Sequence, residues 1–459
     1  MQYGYYAPAR PEKSMRLLCG VIAAVTAAVL LLAMPGIFGF LKDIMGIGFS
    51  QGKTGGQTTV PQAIAQETGS SGVRQIVTNK YLDEYHYGLE MNEGEEGYWE
   101  NFVAAALYED GTVTVSCRSE YRQNYDCVRD WKNIEKLWLD GTALWALDGS
   151  GQLYSNDPAR TSLPGKVADL VCSPDGTFAI LTDGNVVGLT QAGAEAASGW
   201  KNVKQLHPVS DTYPWGFTLL RQDGTTATVS GQAEGSKLGP TEHRNVRSIQ
   251  PDVFNGTCTF YKNDGSVVCF GDADPQGDKN LFGSVNVVPM VETLAFGVTE
   301  KGELKVSCGL EEYHRTYAVS DESMYAPLEE AKCTGVKYLL SSEGRGGMPV
   351  MLYEDGTLYS PCKPLNDVIS TWTGVKKIGW YEGYTWVRLY ALLEDGSVMT
   401  AEGDFGFYGS TVTENYLNWE LEDLYVGRYA GAIGVCRDGT FVGDMAFQYL
   451  DLNTLGRNG

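Results

Sequence analysis

Leu392-Leu393-Glu394-Asp395-Gly396-Ser397-Val398 reads as a tight β-hairpin. A two-residue hairpin corner needs positive φ at its centre, which Asp and Gly tolerate best, and apolar residues flank it as a half-buried strand pair requires. The same corner stands at Asp110-Gly111, Asp148-Gly149, Asp183-Gly184, Asp223-Gly224, Asp264-Gly265, Asp355-Gly356 and Asp438-Gly439, and Lys301-Gly302 takes its place once. Successive corners lie 38, 35, 40, 41, 37, 54, 40 and 43 residues apart. Recurrence at that period marks a repeat protein and leaves no room for a long helix between hairpins.

Each unit carries more than its corner. Three residues before the Asp stands an apolar residue (Leu107, Ile180, Leu220, Tyr261, Leu352, Leu392, Val435), and Thr or Ser with an apolar residue often follows the Gly, as in Thr112-Val113 and Thr440-Phe441. That alternation turns one face of each hairpin toward a core. Upstream lies an apolar pair at i and i+3: Val73/Ile76, Ile134/Leu137, Val167/Leu170, Val203/Leu206, Val246/Ile249, Val285/Val288, Val336/Leu339, Val375/Ile378 and Leu421/Leu424. Each pair is short and soon followed by a hairpin, so it reads as the first strand of a three- or four-stranded unit. Entries to this strand repeat as Trp131-Lys132-Asn133-Ile134, Trp200-Lys201-Asn202-Val203 and, more loosely, Trp372-Thr373-Gly374-Val375.

In these residues, together with Gly235-Ser236-Lys237-Leu238-Gly239, Leu281-Phe282-Gly283 and Gly406-Phe407-Tyr408-Gly409, the chain resembles the short-repeat form of the regulator-of-chromosome-condensation family over residues 73–459. The resemblance implies an all-β fold, a single β-propeller of seven blades by family default, although nine hairpin units are present here. Where the family often places His about seven residues before the Asp, this chain has Gly216, Thr257, Met348, Arg388 and Gly431.

Leu17 to Leu41 is 25 residues without a charge, long enough to span a hydrocarbon core, with Arg10, Lys13 and Arg16 before it and Lys42-Asp43 after it. The charge asymmetry predicts an uncleaved signal-anchor: residues 1–16 cytoplasmic, 17–41 transmembrane, 42–72 a flexible Gly/Ser/Thr/Gln-rich linker, and the propeller extracellular at the cell membrane. A cleaved signal peptide is the competing reading. Beyond residue 41 stand 32 basic and 56 acidic residues, about −24 net. Such a surface repels nucleic acid and anionic headgroups. No nucleic-acid partner is expected.

Of ten cysteines, Cys19 lies in the apolar segment, and Cys117 with Cys127, across a short polar loop, are the best local candidates for a disulfide. No Cys/His spacing suggests zinc. Asp272, Asp274 and Asp278 resemble the start of a calcium loop, but Gly283 stands where its last ligand should be. Ser173-Pro174-Asp175-Gly176-Thr177-Phe178 echoes the aspartate box of sialidases, itself a structural turn. Neither a metal nor a cofactor is expected.

In an up-and-down blade all Asp-Gly corners crowd one rim, and the loops between first and second strands occupy the other. Those loops are aromatic: Tyr213 and Trp215; Trp380, Tyr381, Tyr384 and Trp386; and Tyr85, Tyr87, Tyr98 and Trp99. Tyr and Trp offer large contact area at small entropic cost, so this rim is the candidate binding face, although rings of this kind also fill the space between blades. No metalloprotease, nucleophile-elbow or phosphate-loop motif is present, and there are four histidines in all (His86, His207, His243, His314). The sequence therefore points to a membrane-anchored propeller that binds a protein or glycan at the cell surface without catalysis. The alternative is an extracellular glycan-active hydrolase or lyase on the same scaffold.

Overall fold

The computed structural model describes residues 72–79, 102–157, 161–173, 176–190, 199–209, 216–230, 243–252, 257–268, 279–289, 294–318, 324–342, 348–382, 386–404, 412–427 and 430–456. The expected anchor at 17–41, its linker and the Asp272/Asp274/Asp278 run lie outside them. No described helix is long and apolar enough to cross a membrane.

The described residues form nine antiparallel sheets, eight of three strands and one of four. Among the described residues there is one sheet for each of the nine hairpin units. Each sheet begins with an inner strand, in order Val73–Thr78, Ile134–Asp140, Val167–Ser173, Val203–Val209, Val246–Asp252, Ser284–Pro289, Val336–Ser341, Val375–Glu382 and Leu421–Gly427. Each inner strand packs on the next sheet, mostly on that sheet's own inner strand, and Leu421–Gly427 returns to Val73–Thr78. Nine buried apolar clusters fill the junctions, one for every consecutive pair of sheets and one joining ninth to first. Sheets packed face to face in that cyclic order are the blades of a β-propeller.

One irregularity recurs in all nine sheets and explains the odd spacing of the apolar pairs. Pairing slips by one residue just after the first residue of each inner strand, as between Val73 and Gln75 or Val375 and Lys377. In a regular strand i and i+3 face opposite ways; one extra residue brings them to the same face. In the sixth sheet the slip falls between Ser284 and Asn286, so the equivalent pair is Ser284/Val287 and not Val285/Val288.

The corners are Asx turns. Asp395 Oδ1 accepts the Ser397 amide at 2.9 Å and the Ser397 hydroxyl at 2.6 Å, and the Asp110, Asp223, Asp264, Asp355 and Asp438 corners repeat both bonds with Thr or Ser. The second unit departs from the expected register. There the positive-φ glycine is Gly151, whose amide donates to Asp148 O at 3.0 Å, so Ser150-Gly151 is the corner and Asp148-Gly149 stands two residues early. Asp148 still organises the turn, accepting the amides of Ser150 and Gln152 at 2.8 and 2.9 Å.

Every corner but the ninth is also fastened toward the following sheet. The carbonyl of Gly111 accepts the amide of Ile134 at 3.1 Å; Gly184 does the same for Val203, Gly224 for Val246, Gly356 for Val375 and Gly396 for Leu421. Before four of these amides, and before that of Val336, which bonds the Gly302 carbonyl at 3.0 Å, the preceding residue has positive φ: Asn133, Asn202, Asn245, Gly374 and Gly335; Glu420, before Leu421, does not. Asn and Gly are the residues that bear this conformation best, which is why the entry reads Trp-Lys-Asn-Ile in one unit and Trp-Thr-Gly-Val in another.

Polar side chains next to the bulge tie neighbouring sheets together. Gln75 takes the Leu137 amide at 2.9 Å and donates to its carbonyl at 3.0 Å; Asn286 donates to Leu339 O at 2.9 Å. Lys377 pairs with Asp423 at 2.8 Å, and burial pulls its ammonium below the usual lysine range against the attraction of that carboxylate. The Cys117–Cys127 disulfide does not form. Residues Ser119–Asp130 wind into a 3-10 helix that leaves Cys127 exposed while Cys117 stays buried at its strand end, both as free thiols.

His207, on the inner strand of the fourth sheet, is buried, its Nε2 makes no hydrogen bond, and burial draws its pKa from 6.5 down to about 4. The unfolded chain takes up this proton below about pH 6.5 and the folded one does not, so stability falls as pH drops from there toward 4. His207→Phe should remove about 2–3 kcal/mol of the stability difference between about pH 7 and pH 4.5, read from urea midpoints. The corner aspartates act in a lower window: with carboxyls held down by Thr and Ser hydrogen bonds, their contribution is present above the ordinary Asp range and lost below it. An unchanged pH dependence in the variant would show that His207 titrates alike folded and unfolded.

Candidate functional site

On the rim opposite the corners, the eighth sheet holds an aromatic and charged cluster. Its middle strand, Trp386–Leu393, starts at that rim. Strand alternation sets Trp386, Arg388 and Tyr390 on one face, the face turned to the ninth sheet. Register places Arg388 between Tyr381 on the inner strand and Glu402 on the third.

The Arg388 guanidinium spans two carboxylates. Its Nε donates to Glu402 Oε2 at 2.8 Å, a second nitrogen also reaches that oxygen, and Nη1 donates to Asp444 Oδ2 at 3.1 Å and to the Tyr390 hydroxyl at 3.2 Å. The Tyr390 hydroxyl donates to Asp444 Oδ2 at 2.5 Å, and Asp444 Oδ1 accepts the Ala432 amide at 2.8 Å. The network therefore ties the eighth sheet to the ninth. Burial pushes the Asp444 carboxyl above its ordinary range, further than Tyr390, Ala432 and Arg388 draw it back. Burial also works against the charge on Arg388, yet Tyr390 and Glu402 together hold its pKa above the usual arginine value.

Trp386 is partly open to solvent, as are the Arg388, Asp444 and Glu402 side chains, 17%, 19% and 31% exposed. Its indole packs on the Tyr381 ring with centroids 5.0 Å apart, and the Arg388 guanidinium lies over it at 5.1 Å. A guanidinium already bonded to two carboxylates and stacked on an aromatic face is a brace: the charge is satisfied and the ring orientation fixed. Such a cluster suits contact with another molecule's surface, because a half-exposed, immobilised indole loses little entropy on binding.

The sequence-derived aromatic residues separate on this evidence. Trp380 is 5% exposed, in the junction between seventh and eighth sheets, and Tyr381 is 3% exposed, in the junction between eighth and ninth. Both fill space between blades; Trp386 alone of the described three is partly open. Tyr213, Trp215 and Tyr384, and likewise Tyr85, Tyr87, Tyr98 and Trp99, lie outside the described residues. Sequence reasoning missed Glu402, Tyr390 and Asp444. Arg388 gave the signal, a charge within an otherwise apolar strand. Of the aspartate-box stretch, Ser173 ends the inner strand of the third sheet and Gly176 begins Gly176–Leu181, while Pro174 and Asp175 lie outside the described residues. Among the described residues, no three His, Cys, Asp or Glu gather to hold a metal ion.

No protein-family model matches the chain, and no curated protein matches it. Solved structures similar to it include the WD40 domain of SCAP from fission yeast, 9% identical with a TM-score of 0.33, the match covering 84% of this chain and 100% of that one. BamB from Moraxella catarrhalis is 15% identical with a TM-score of 0.27 over 66% of this chain and 81% of that one. YCF48 from Cyanidioschyzon merolae is 10% identical with a TM-score of 0.29 over 83% and 97%. The propeller assignment rests on the sheets and junctions of this chain.

Proposed function

We propose that this chain is a nine-bladed propeller of the regulator-of-chromosome-condensation kind that binds a protein partner through the rim carrying Trp386, without chemical turnover. In this reading the apolar segment 17–41 anchors it in the membrane with the propeller outside. The observation that carries it is the half-exposed Trp386 indole, oriented by Tyr381 and by an Arg388 whose charge is already balanced. Indoles held in this way are the residue type on which interface energy concentrates.

The test uses the full-length chain on intact cells, with crosslinking and quantitative mass spectrometry of what is recovered, and a glycan array in parallel. Trp386→Ala should lower recovery of a specific protein about 30-fold, the effect of losing roughly 2 kcal/mol at an interface centre. Because the indole also packs on Tyr381 and on the junction of the eighth and ninth sheets, its thermal midpoint should fall, and recovery is compared well below the variant's unfolding transition. Unchanged recovery would sink the proposal, and loss confined to a glycan would replace the protein partner with a sugar.

A further inference from the structure

An open outer edge is a liability in a sheet, because its amides and carbonyls pair with any extended chain that reaches them. Most outer edges of this propeller are short or tied down. The outer strands of the second, third, fifth, sixth, seventh and ninth sheets are two or three residues long. That of the first, Val113–Cys117, is tied to the C-terminal residues, to whose carbonyls Thr114 and Ser116 donate at 2.8 and 2.9 Å. That of the fourth, Thr226–Ser230, starts with an amide bonded to the His243 carbonyl at 3.0 Å. The eighth sheet differs: among the described residues it alone adds a fourth strand, Thr413–Leu417, and the first four residues of that strand are exposed.

Little in that strand blunts it. Its pairing with Val398–Asp404 runs without a slip, so the edge is regular, and it contains neither Pro nor Lys. No described strand lies beyond it. Successive residues of a strand turn their backbone groups to opposite sides, so alternate residues of Thr413–Tyr416 present theirs outward, where a further strand would pair. Side-chain alternation sets Glu414 and Tyr416 on one face. It is the face toward the seventh sheet, because Glu414 accepts the indole N–H of Trp372, which is buried in the junction between seventh and eighth sheets. Tyr416 is 57% exposed, one of three large apolar side chains so open among the described residues.

We infer that this edge takes up an extended basic segment of another protein as a fifth strand of the eighth sheet. Backbone bonds along the edge supply affinity, and the residues placed opposite Glu414 and Tyr416 supply the choice of sequence. Cross-strand pairing favours Lys or Arg opposite Glu414 and a β-branched or aromatic residue opposite Tyr416, so the segment carries the two at i and i+2. Charge selects such a segment over a second copy of this chain. With 57 Asp and Glu against 35 Lys and Arg, two copies repel each other, while a basic strand is attracted. The edge is separate from the Trp386 cluster, which is built on the middle strand of the sheet, and does not depend on it.

Fluorescence anisotropy of a labelled Thr-Val-Thr-Lys-Thr-Val peptide, titrated with the full-length chain, tests this. Replacing its Lys with Glu should weaken binding at least about tenfold. Methylating the backbone amides of alternate residues should abolish binding for one of the two possible sets and spare it for the other, because an added strand pairs along one edge only. Glu414→Gln, which keeps an acceptor for Trp372, and Tyr416→Ala should each weaken binding about three- to fivefold. Trp386→Ala, measured below its unfolding transition, should leave it unchanged. No saturable binding, equal effects of the two methylation patterns, or unchanged binding by both edge variants would overturn the inference. So would sedimentation showing a dimer that Tyr416→Ala dissociates, since a second copy would then hold the edge.

Discussion

A chain ending at Asp444 should lose on the order of 5 kcal/mol of stability, enough to unfold most of the population. Eight of the nine junctions join sheets adjacent in sequence; the ninth must bring the last sheet to the first. In place of a strand shared between the two ends, the residues after Asp444 form a latch. Two 3-10 turns, Met445–Tyr449 and Leu452–Leu455, bury Ala446, Phe447, Leu450 and Leu455 against Phe102, Ala104, Ala106 and Tyr108 of the first sheet. Phe447 meets Phe102 edge to face at 5.5 Å. The first sheet reciprocates with hydroxyls: Tyr108 and Thr114 donate to the Leu455 carbonyl, the latter at 2.8 Å, and Ser116 donates to the Asp451 carbonyl at 2.9 Å. A Phe and two Leu fully buried contribute roughly 1.5–3 kcal/mol each, and deletion also strands the hydroxyls and bares the apolar face beneath. Leu455→Ala, a milder cut, should cost about 2–4 kcal/mol. Urea unfolding of both variants gives the answer; a truncated chain with the parent's midpoint would show that the first and ninth sheets hold each other without the tail.

Much of this fold was written in the residues, but not all at the right register. Asp-Gly corners and apolar strands gave the repeat, its number and the two rims, because turn chemistry is local and φ is dictated by the residue that must bear it. The i, i+3 pairs were visible too, yet their cause was not, since a bulge is a property of two strands and appears only when both are paired. That blindness misplaced two units. Asp148-Gly149 satisfied the corner pattern although the turn needed Gly151, and Val285/Val288, a poorer fit to the series, stood in place of Ser284/Val287. Ser284 is fully buried there, and Gly297 on the adjoining strand explains why a small side chain suits the place: a Cβ on Gly297 would come within 2.4 Å of the Ser284 hydroxyl. The site was less legible than the fold. Aromatic residues near strand ends were easy to find, but whether a ring faces solvent or a neighbouring blade depends on which side of the sheet the register assigns it. Trp380 and Tyr381 are adjacent in sequence and go to different junctions. Asp444 is 56 residues from Arg388 and meets it only because the ninth sheet packs on the eighth.

Two glycines that look identical in sequence should respond differently to alanine. Gly396 and Gly439 both follow Asp, both precede Ser or Thr, and both have positive φ, +95° and +82°. An alanine pays roughly 1–2 kcal/mol for that conformation at either place. At Gly396 a second cost is added: a Cβ would lie 2.7 Å from the Leu421 carbonyl oxygen and 3.1 Å from its nitrogen. These are backbone atoms of the next sheet, which no rotamer change can move aside, and the Leu421 amide is bonded to the Gly396 carbonyl at 2.8 Å. Relief requires the ninth sheet to shift outward, lengthening that bond and loosening the junction closed by Leu392, Leu421 and Leu424. Overpacking of this kind costs a further 1–3 kcal/mol, so Gly396→Ala should lose about 3–4 kcal/mol in all. At Gly439 nothing lies within 4 Å of the added carbon. Gly439→Ala should stop at about 1 kcal/mol, the conformational cost alone. Denaturant midpoints of the two variants measured side by side separate the contributions. Equal losses would mean that the bond between corner and next sheet yields freely and that the glycines serve the turns alone. A large excess at Gly396 would establish that the repeated glycine is selected twice in every unit but the last, once for its φ and once for the closeness of its neighbour.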